Sequence, residues 1–365
     1  MAVTQKVPRA QTSAKARIKA LLPPVLQQVL RRVRVSVGLC RAYRYDRLRF
    51  LRFSSALGYA SNRHNLASRI TGSYHGVEKG LALPDPRPGF GSAALGQLID
   101  CLDEYLARYG DDGVTRAAQG ALVAYLEFNR SSGLPDEQVP HLSALLRLTR
   151  TQDGVSQAGG TKIVRREQIA AAVSCVTADF FATRSSVRQF APGAVSEEHI
   201  EFAVKAAQKS PAVCNRQFQR VYVISDPTDV RRALELQGGA RGFAHQVPMV
   251  AVITSNLRSY WGGGERMQAW TDGGMFAMSF LLGLHACGVG SVCLNWSKTE
   301  ALDREFHHVF GLPEEEAIVM LIGFGGLKEE YRVAASPRPA LSATYHKLST
   351  QVDDAAAGPA ADDVH

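Results

Sequence analysis

The sequence predicts an α+β protein in two parts, a mostly helical N-terminal region over about residues 21–150 and a second region over 163–348 that mixes strands with helices. Three observations predict it. Apolar residues recur every three or four positions in 93–109 and 114–129, whereas 218–225 alternates and 247–255 and 317–323 are short apolar runs. A Gly-rich stretch, Asp153–Gly160, falls between the two patterns and places a linker at 151–162. The charge divides as well: residues 1–80 carry 16 Lys/Arg against 2 Asp/Glu, and the rest carries 26 against 32, so a first part of +14 precedes a remainder of −6.

A chain of 365 residues, 45% hydrophobic, is long enough to bury a sizeable core. No apolar run reaches the roughly 18 residues of a membrane span, and no charged-then-apolar leader ends in a small-residue cleavage site. A cytoplasmic protein is expected, with a peripheral place at a membrane surface open to its basic segment. The six cysteines, Cys40, Cys101, Cys175, Cys214, Cys287 and Cys293, show no Cys-x-x-Cys and no metal-ligand spacing with histidine, which argues against structural zinc and a disulfide framework.

Residues 1–20 are basic, without an apolar period, and read as a disordered tail, as do 349–365. From Leu21 to about Phe53 a helix interrupted at Pro23-Pro24 interleaves Arg31, Arg32, Arg34, Arg41, Arg44, Arg47, Arg49 and Arg52 with Val, Leu, Tyr and Phe. Residues 21–80 therefore suit an anionic membrane surface or an acidic protein partner, or form a hairpin whose Arg stems cover apolar surface. No nucleic-acid motif accompanies them. Residues 74–91 are rich in Pro and Gly and hold His75, Glu78, Lys79 and Arg87; they read as a long loop. Helices follow at 93–109 (Leu95, Leu98, Ile99, Leu102, Leu106), 114–129 (Ala121, Leu122, Tyr125, Leu126) and 140–150.

In the second region Ser196 is an N-cap for a helix over 197–209. It feeds a loop at 210–217 and a strand at 218–225; Asp226-Pro227 then opens a short helix over 228–236. Residues 247–255 form a buried strand. The helix from Asp272 to Cys287 is apolar nearly all round, so a large core or a second subunit should cover it on every side. Ser297-Lys-Thr-Glu300 reads as a capping box opening a helix to about Phe310. The order is not a clean βαβαβ run and Gly288-Val-Gly290 follows a helix, not a strand, which disfavours a Rossmann fold.

The stretch Arg184-Ser-Ser-Val-Arg-Gln-Phe190 sets two forked guanidiniums four positions apart around two hydroxyls, chemistry suited to a phosphate. It resembles the Arg-Arg-Ser-x-Arg-x-Phe element of the nitroreductase-like flavoproteins, with Ser185 at the second position. Ser210-Pro-Ala-Val-Cys-Asn-Arg-Gln217 resembles that family's Ala-Pro-Ser-x-x-Asn-x-Gln-Pro, with Phe218 for the usual proline. Asp272-Gly-Gly with its apolar helix, and Gly288-Val-Gly-Ser-Val-Cys-Leu-Asn-Trp296, are similar to the family's buried helix and Gly-rich strand. The resemblance spans about residues 178–348 and ends at Ser336-Pro-Arg338-Pro, where the family has a late basic residue.

The resemblance implies a central mixed or antiparallel sheet flanked by helices, an intertwined homodimer, and FMN held by Arg184, Ser185, Ser186 and Arg188 with Arg338. Pro211, Asn215 and Gln217 would shape the flavin pocket, and Asn295 and Trp296 would neighbour the ring. Ala240 and Phe243 stand where many members have polar residues; Arg241 is a substitute donor. No side chain is nominated as a catalytic acid or base, and His245 and His285 read as structural. The implied activity is ping-pong transfer of hydride from NADH or NADPH, through flavin N5, to a small acceptor such as a nitroaromatic or quinone. Two alternatives stand beside it: flavin oxidation or flavin-modifying chemistry without nicotinamide, and a non-enzymatic docking role for the basic N-terminus.

Overall fold

The computed structural model describes residues 23–57, 62–149, 159–174, 176–336 and 338–348. The two expected tails and most of the expected linker lie outside these residues. Helix α1 (Pro24–Phe53) starts with Pro23 at the N-cap and Pro24 at the first helical position. A fixed φ and a missing N–H suit that position, so the double proline opens the helix. α1 buries only Phe50 and Phe53, near its end.

Helix α2 (Arg63–Leu81) is capped by Asn62, whose side chain accepts from the N–H of His64 and of Asn65. This corrects the sequence reading of 74–91 as a loop, because 74–81 continue the helix. Gly76 and Gly80 each cost about 1 kcal/mol in a helix, but Leu66, Ile70 and Val77 bury one face. Gly80 is also needed there: a Cβ on it would lie 2.1 Å from the Phe90 ring. Helices α3 (Ser92–Tyr109) and α4 (Gly113–Ser131) pack on α2, and α5 (Leu142–Thr149) packs on α4, around Leu98, Leu102, Tyr105, Leu122, Tyr125 and Leu145. Asp112 and Thr115 form the capping box of α4. Gly159 lies so close to α4 that a Cβ would meet Ala117 O at 2.0 Å. Short helices α6 (Arg166–Val173) and α7 (Ala178–Thr183) follow and bury no residue.

Helix α8 (Glu197–Ala207), strand β1 (Gln219–Ile224), helix α9 (Pro227–Gln237), strand β2 (Met249–Asn256), helix α10 (Gln268–Ala286), strand β3 (Val289–Asn295), helix α11 (Glu300–Phe310) and strand β4 (Glu316–Gly326) complete the layered part. The sheet order is β1-β2-β4-β3 with every named pairing antiparallel. Side chains alternate between its faces. Met249, Ala251, Ile253, Ile322 and Phe324 pack under α8 and α10, while Val250, Val252, Val292, Leu294 and Leu321 pack under α9 and α11. Gly283 lets α10 cross α8 closely, its Cβ position being 2.6 Å from Ala203 Cα.

One further expectation is corrected: Thr299, not Ser297, caps α11, its hydroxyl accepting from Leu302 N–H. Within the single chain α10 keeps part of its apolar surface open, with Trp270 39% and Met278 43% exposed.

The N-terminal helices are bonded into the second region. Asn65 Nδ2 donates to Arg258 O (2.8 Å), Ser68 Oγ to Ser259 O (2.8 Å), and Trp261 Nε1 to Ser68 Oγ (3.1 Å). Phe50 and Phe53 share a cluster with Leu257, Tyr260, Ala269 and Ala317. The described residues from 333 to 348 belong to a unit separate from the rest.

Candidate functional site

Strand β3 is an edge strand, and the Arg/Ser segment lies along its free side. Ser186 bridges Ser291 in parallel, Val187 N–H donates to Ser291 O (2.9 Å), and Phe190 bridges Leu327, with Ala191 N–H donating to Gly326 O (2.8 Å). Val187 and Phe190 are buried, which forces the intervening polar side chains outward. Gly290 makes the approach possible, since a Cβ there would lie 3.2 Å from Val187 Cβ. Arg184, Ser185 and Ser186 are half-buried and Arg188 is exposed.

Arg184 and Arg188 form no ion pair with a carboxylate among the described residues. Arg188 lies over the Phe243 ring (5.8 Å), with Nη1 3.4 Å from Ser186 O. Two cations without a carboxylate partner among the described residues, beside two hydroxyls on a fixed backbone, make an anion site. On β3, Ser291, Cys293 and Asn295 share the face that α10 covers farther along, and Cys293 and Asn295 are exposed there. Part of Cys293 reaches solvent, but crowding by its surroundings pushes the thiol's pKa up while the Arg184 guanidinium pulls it down.

The loop after α8 is held in an unusual shape. Cys214, Asn215 and Gln217 all have positive φ (49°, 53° and 49°), a conformation that costs a non-glycine residue roughly 1–3 kcal/mol. Gln217 Nε2 donates to Asn215 Oδ1 (2.5 Å). Between them Arg216 turns inward, its side chain 1% exposed, and clamps Glu265 through Nη1–Oε2 (3.1 Å) and Nη2–Oε1 (2.6 Å). Its Nε donates to Val213 O (3.1 Å), its Nη1 also to Ser259 O (2.5 Å), and its plane stacks on Trp261 (4.2 Å). Asp272 Oδ2 accepts from Val213 N–H (3.2 Å). Gly72 of α2 brings Trp261 against this loop, since its Cβ position is 2.4 Å from the indole.

Other candidates scatter. Pro211 is exposed at the same loop's start. Asn295 Nδ2 donates to Ser297 Oγ (3.2 Å), and its carbonyl accepts from Gln237 Nε2 (2.9 Å). Trp296 turns onto α11, with Nε1 donating to Asp303 Oδ1 (2.6 Å) and its ring edge-on to Phe306. Arg338 belongs to the unit beginning at Val333; it is exposed and donates through Nη1 to Ser336 O (2.6 Å). His285 Nε2 pairs with Thr183 Oγ1 (3.1 Å) and its ring lies on Phe180, which seats α7.

The departures from the family pattern have structural partners. Phe218 packs against the N-terminal helical cluster. Ala240 is buried and Phe243 half-buried in the core under α9 and α11. Arg241 lines a cleft of about 1220 Å³ with Arg231, His245 and Lys328, beside Phe190, and its Nε donates to Gly238 O (3.3 Å). Apart from Arg241, none of the sequence candidates for flavin contact lines that cleft. Sequence reasoning missed Arg216, Glu265 and Gln237, and read Asp272 only as the head of the apolar helix. Of the three missed residues only Arg216, between Asn215 and Gln217, carried any signal, and its carboxylate stands 49 positions away.

The nitroreductase family model matches residues 181–237 and 227–326. A protein of Archaeoglobus fulgidus, provisionally named NADH dehydrogenase/NAD(P)H nitroreductase, is 26% identical over 154 residues, spanning 40% of this chain and 83% of that one. Among solved structures, NfrA2 of B. megaterium is 21% identical over 48% of this chain and 75% of its own, at a TM-score of 0.41. An FMN-dependent nitroreductase from Clostridium difficile is 18% identical over 47% of this chain and 98% of its own (TM-score 0.39). A nitroreductase with bound FMN from Bacteroides fragilis is 14% identical over 47% and 97% (TM-score 0.38).

Proposed function

We propose that this protein, whose residues 181–237 and 227–326 match the nitroreductase family model, is an FMN-dependent oxidoreductase that takes electrons from NADH or NADPH and delivers them to a small acceptor such as a nitroaromatic or quinone. The observation that carries the reading is the pair Arg184 and Arg188, set with Ser185 and Ser186 along the edge of β3 inside the matched region. A dianionic phosphate fits this donor set. Bound FMN would supply the hydride-transfer chemistry.

The chain's own residues bind and orient. Arg184 and Arg188 balance the phosphate charge, and the backbone register between Val187 and Ser291 fixes where it sits. The strained Cys214–Gln217 backbone, locked by Arg216 on Glu265, presents Asn215 and Gln217 as amide donors and acceptors. Asn295 and Cys293 line the adjoining face of β3. Trp296 supports that face from below through Asp303. The exposed Trp270, Met275 and Met278 of α10 suit a second copy of the chain, which would close the open side of the site and exclude water.

The test is anaerobic addition of NADH or NADPH to the FMN-loaded protein. The reading expects rapid loss of the flavin band near about 450 nm, recovery with a quinone, and parallel double-reciprocal plots. A flavin that binds and stays oxidised would move the assignment to chemistry without nicotinamide.

A docking role for the N-terminal helix is a second reading, favoured by one observation. Val25, Val29, Val33 and Val37 of α1 are exposed at i, i+4 spacing beside Arg31, Arg32 and Arg34. Such a helix suits an anionic membrane surface. Among the described residues no helix is long and apolar enough to cross a membrane. Sedimentation with phosphatidylglycerol vesicles, but not phosphatidylcholine vesicles, is the expected result.

A further inference from the structure

A second basic cleft lies far in sequence from the Arg/Ser segment, between α1 and α11. It has a volume of about 810 Å³, within the range of small-molecule sites. Five guanidiniums line it, those of Arg41, Arg44, Arg49, Arg52 and Arg304, against the carboxylates of Glu300 and Glu314. Three of the five are already engaged. Arg49 binds Asp303 Oδ2 (3.1 Å) and the carbonyls of Glu314 and Glu316; Arg52 pairs with Glu314 (2.5 Å) and Arg304 with Glu300 (3.1 Å).

Arg41 and Arg44 are different. Both are exposed, and neither forms an ion pair with a carboxylate among the described residues. The cleft therefore keeps two uncompensated charges. A second observation points to a ligand. His307, 7% exposed, also lines the cleft; its Nδ1 is 3.1 Å from Leu312 O, and its buried Nε2 has no hydrogen-bond partner. Buried polar atoms without a partner are rare. The nearest carboxylate oxygen, Asp303 Oδ2, stands 3.7 Å from it and is already held by Tyr45 and Arg49. The remaining walls include the apolar Leu48, Leu312 and Pro313.

The geometry points to a phosphomonoester site: the cleft between α1 and α11 binds the phosphate of a small organic molecule or of a lipid headgroup, with Arg41 and Arg44 as its ligands and His307 beneath. A phosphomonoester carries close to two negative charges at neutral pH, which matches the two free guanidiniums. Arg is also the residue that meets phosphate bidentately. The apolar walls give an adjoining organic group a place to rest. This inference is independent of the flavin assignment.

The experiment uses the full chain without added FMN, which is itself a phosphomonoester, and repeats each titration on Arg184→Ala so that binding at the Arg184 region is told apart. Phenyl phosphate is titrated by calorimetry, and phosphatidic acid vesicles are compared with phosphatidylcholine vesicles by sedimentation. Saturable one-to-one binding of phenyl phosphate, weakened about tenfold to a hundredfold by Arg41→Ala or Arg44→Ala and untouched by Arg184→Ala, supports the site with a soluble ligand. Binding to phosphatidic acid vesicles alone, lost on the same two substitutions, supports it with a lipid source. In either case the nitrogen-15 resonance of His307 Nε2 shifts on binding. No binding of either probe, or binding indifferent to Arg41 and Arg44, overturns the proposal. Both arginines are exposed, so unchanged thermal melts are expected for the variants.

Discussion

Replacing Glu265 with alanine isolates the element that holds the Cys214–Gln217 backbone in shape. The substitution strips two charge-assisted bonds from Arg216, whose side chain is 1% exposed, and leaves its charge among Trp261, Tyr260 and backbone carbonyls. Breaking a buried pair by removing one partner costs about 3–5 kcal/mol. The lower end applies, because Glu265 is itself 24% exposed and the carbonyls of Val213 and Ser259 still accept from the guanidinium. A loss of about 3 kcal/mol is on the order of a hundredfold in the folded-to-unfolded ratio. Urea titration followed by circular dichroism should show a lower midpoint at an unchanged slope. FMN affinity should fall together with it, since the loop loses its anchor. The double variant Arg216→Met with Glu265→Leu removes both charges and should be less destabilised than Glu265→Ala. A Glu265→Ala midpoint within about 0.5 kcal/mol of the parent, or a double variant worse than the single, would refute the reasoning.

Three more outcomes follow from other parts of the molecule. Arg184→Ala and Arg188→Ala should each weaken FMN about tenfold to a hundredfold with the fold intact; flavin fluorescence titration reads this, and the loss should shrink as salt is raised. Gly290→Ala puts a Cβ 2.7 Å from Leu327 Cδ2 and 3.2 Å from Val187 Cβ. It should cost about 1–3 kcal/mol and lower FMN affinity together with the melting temperature, because the Arg/Ser segment is pushed off β3. For Asp112, burial opposes the charge, but hydrogen bonds from Tyr105, Arg63 and the N–H groups of Val114 and Thr115 outweigh it and hold the carboxyl below its ordinary value. A carboxyl held lower in the folded chain adds stability above the ordinary aspartate value near about 4 and loses it as pH falls through the folded value. Asp112→Asn should therefore flatten the acid limb of a melting-temperature profile below about pH 4, and an unchanged limb would count against it.

Much of the architecture was legible because local rules and tertiary packing agree. Pro23-Pro24, Asp226-Pro227 and the alternation in 218–225 each mark an element end or face that the structure keeps. The Gly-rich signal misled at 74–81, where Gly80 serves the Phe90 ring and not a turn. The Arg/Ser segment was legible as an anion reader because two guanidiniums and two hydroxyls fall within five residues. Arg216 was not, since its meaning depends on Glu265, 49 positions later, and on a stacking partner brought in by Gly72. Trp296 shows the opposite limit. Its place in a Gly-rich run resembles a ring neighbour, yet the indole hydrogen is spent on Asp303, a choice set by α11.

The bonds from α2 to the 258–261 turn have a consequence for the order in which the chain is made. Asn65 and Ser68 reach partners 193 and 191 positions downstream. At about 5–20 residues per second a ribosome needs on the order of 10–40 s to supply them. For the later part of that time, once Leu148 has been made, the side chains of Asn65, Ser68 and Phe53 wait on a nascent helical segment that holds all the buried residues of the core around Leu98 and Tyr125. A pause or a chaperone acting in that interval would meet a half-finished surface, and the last-made strands arrive to close it.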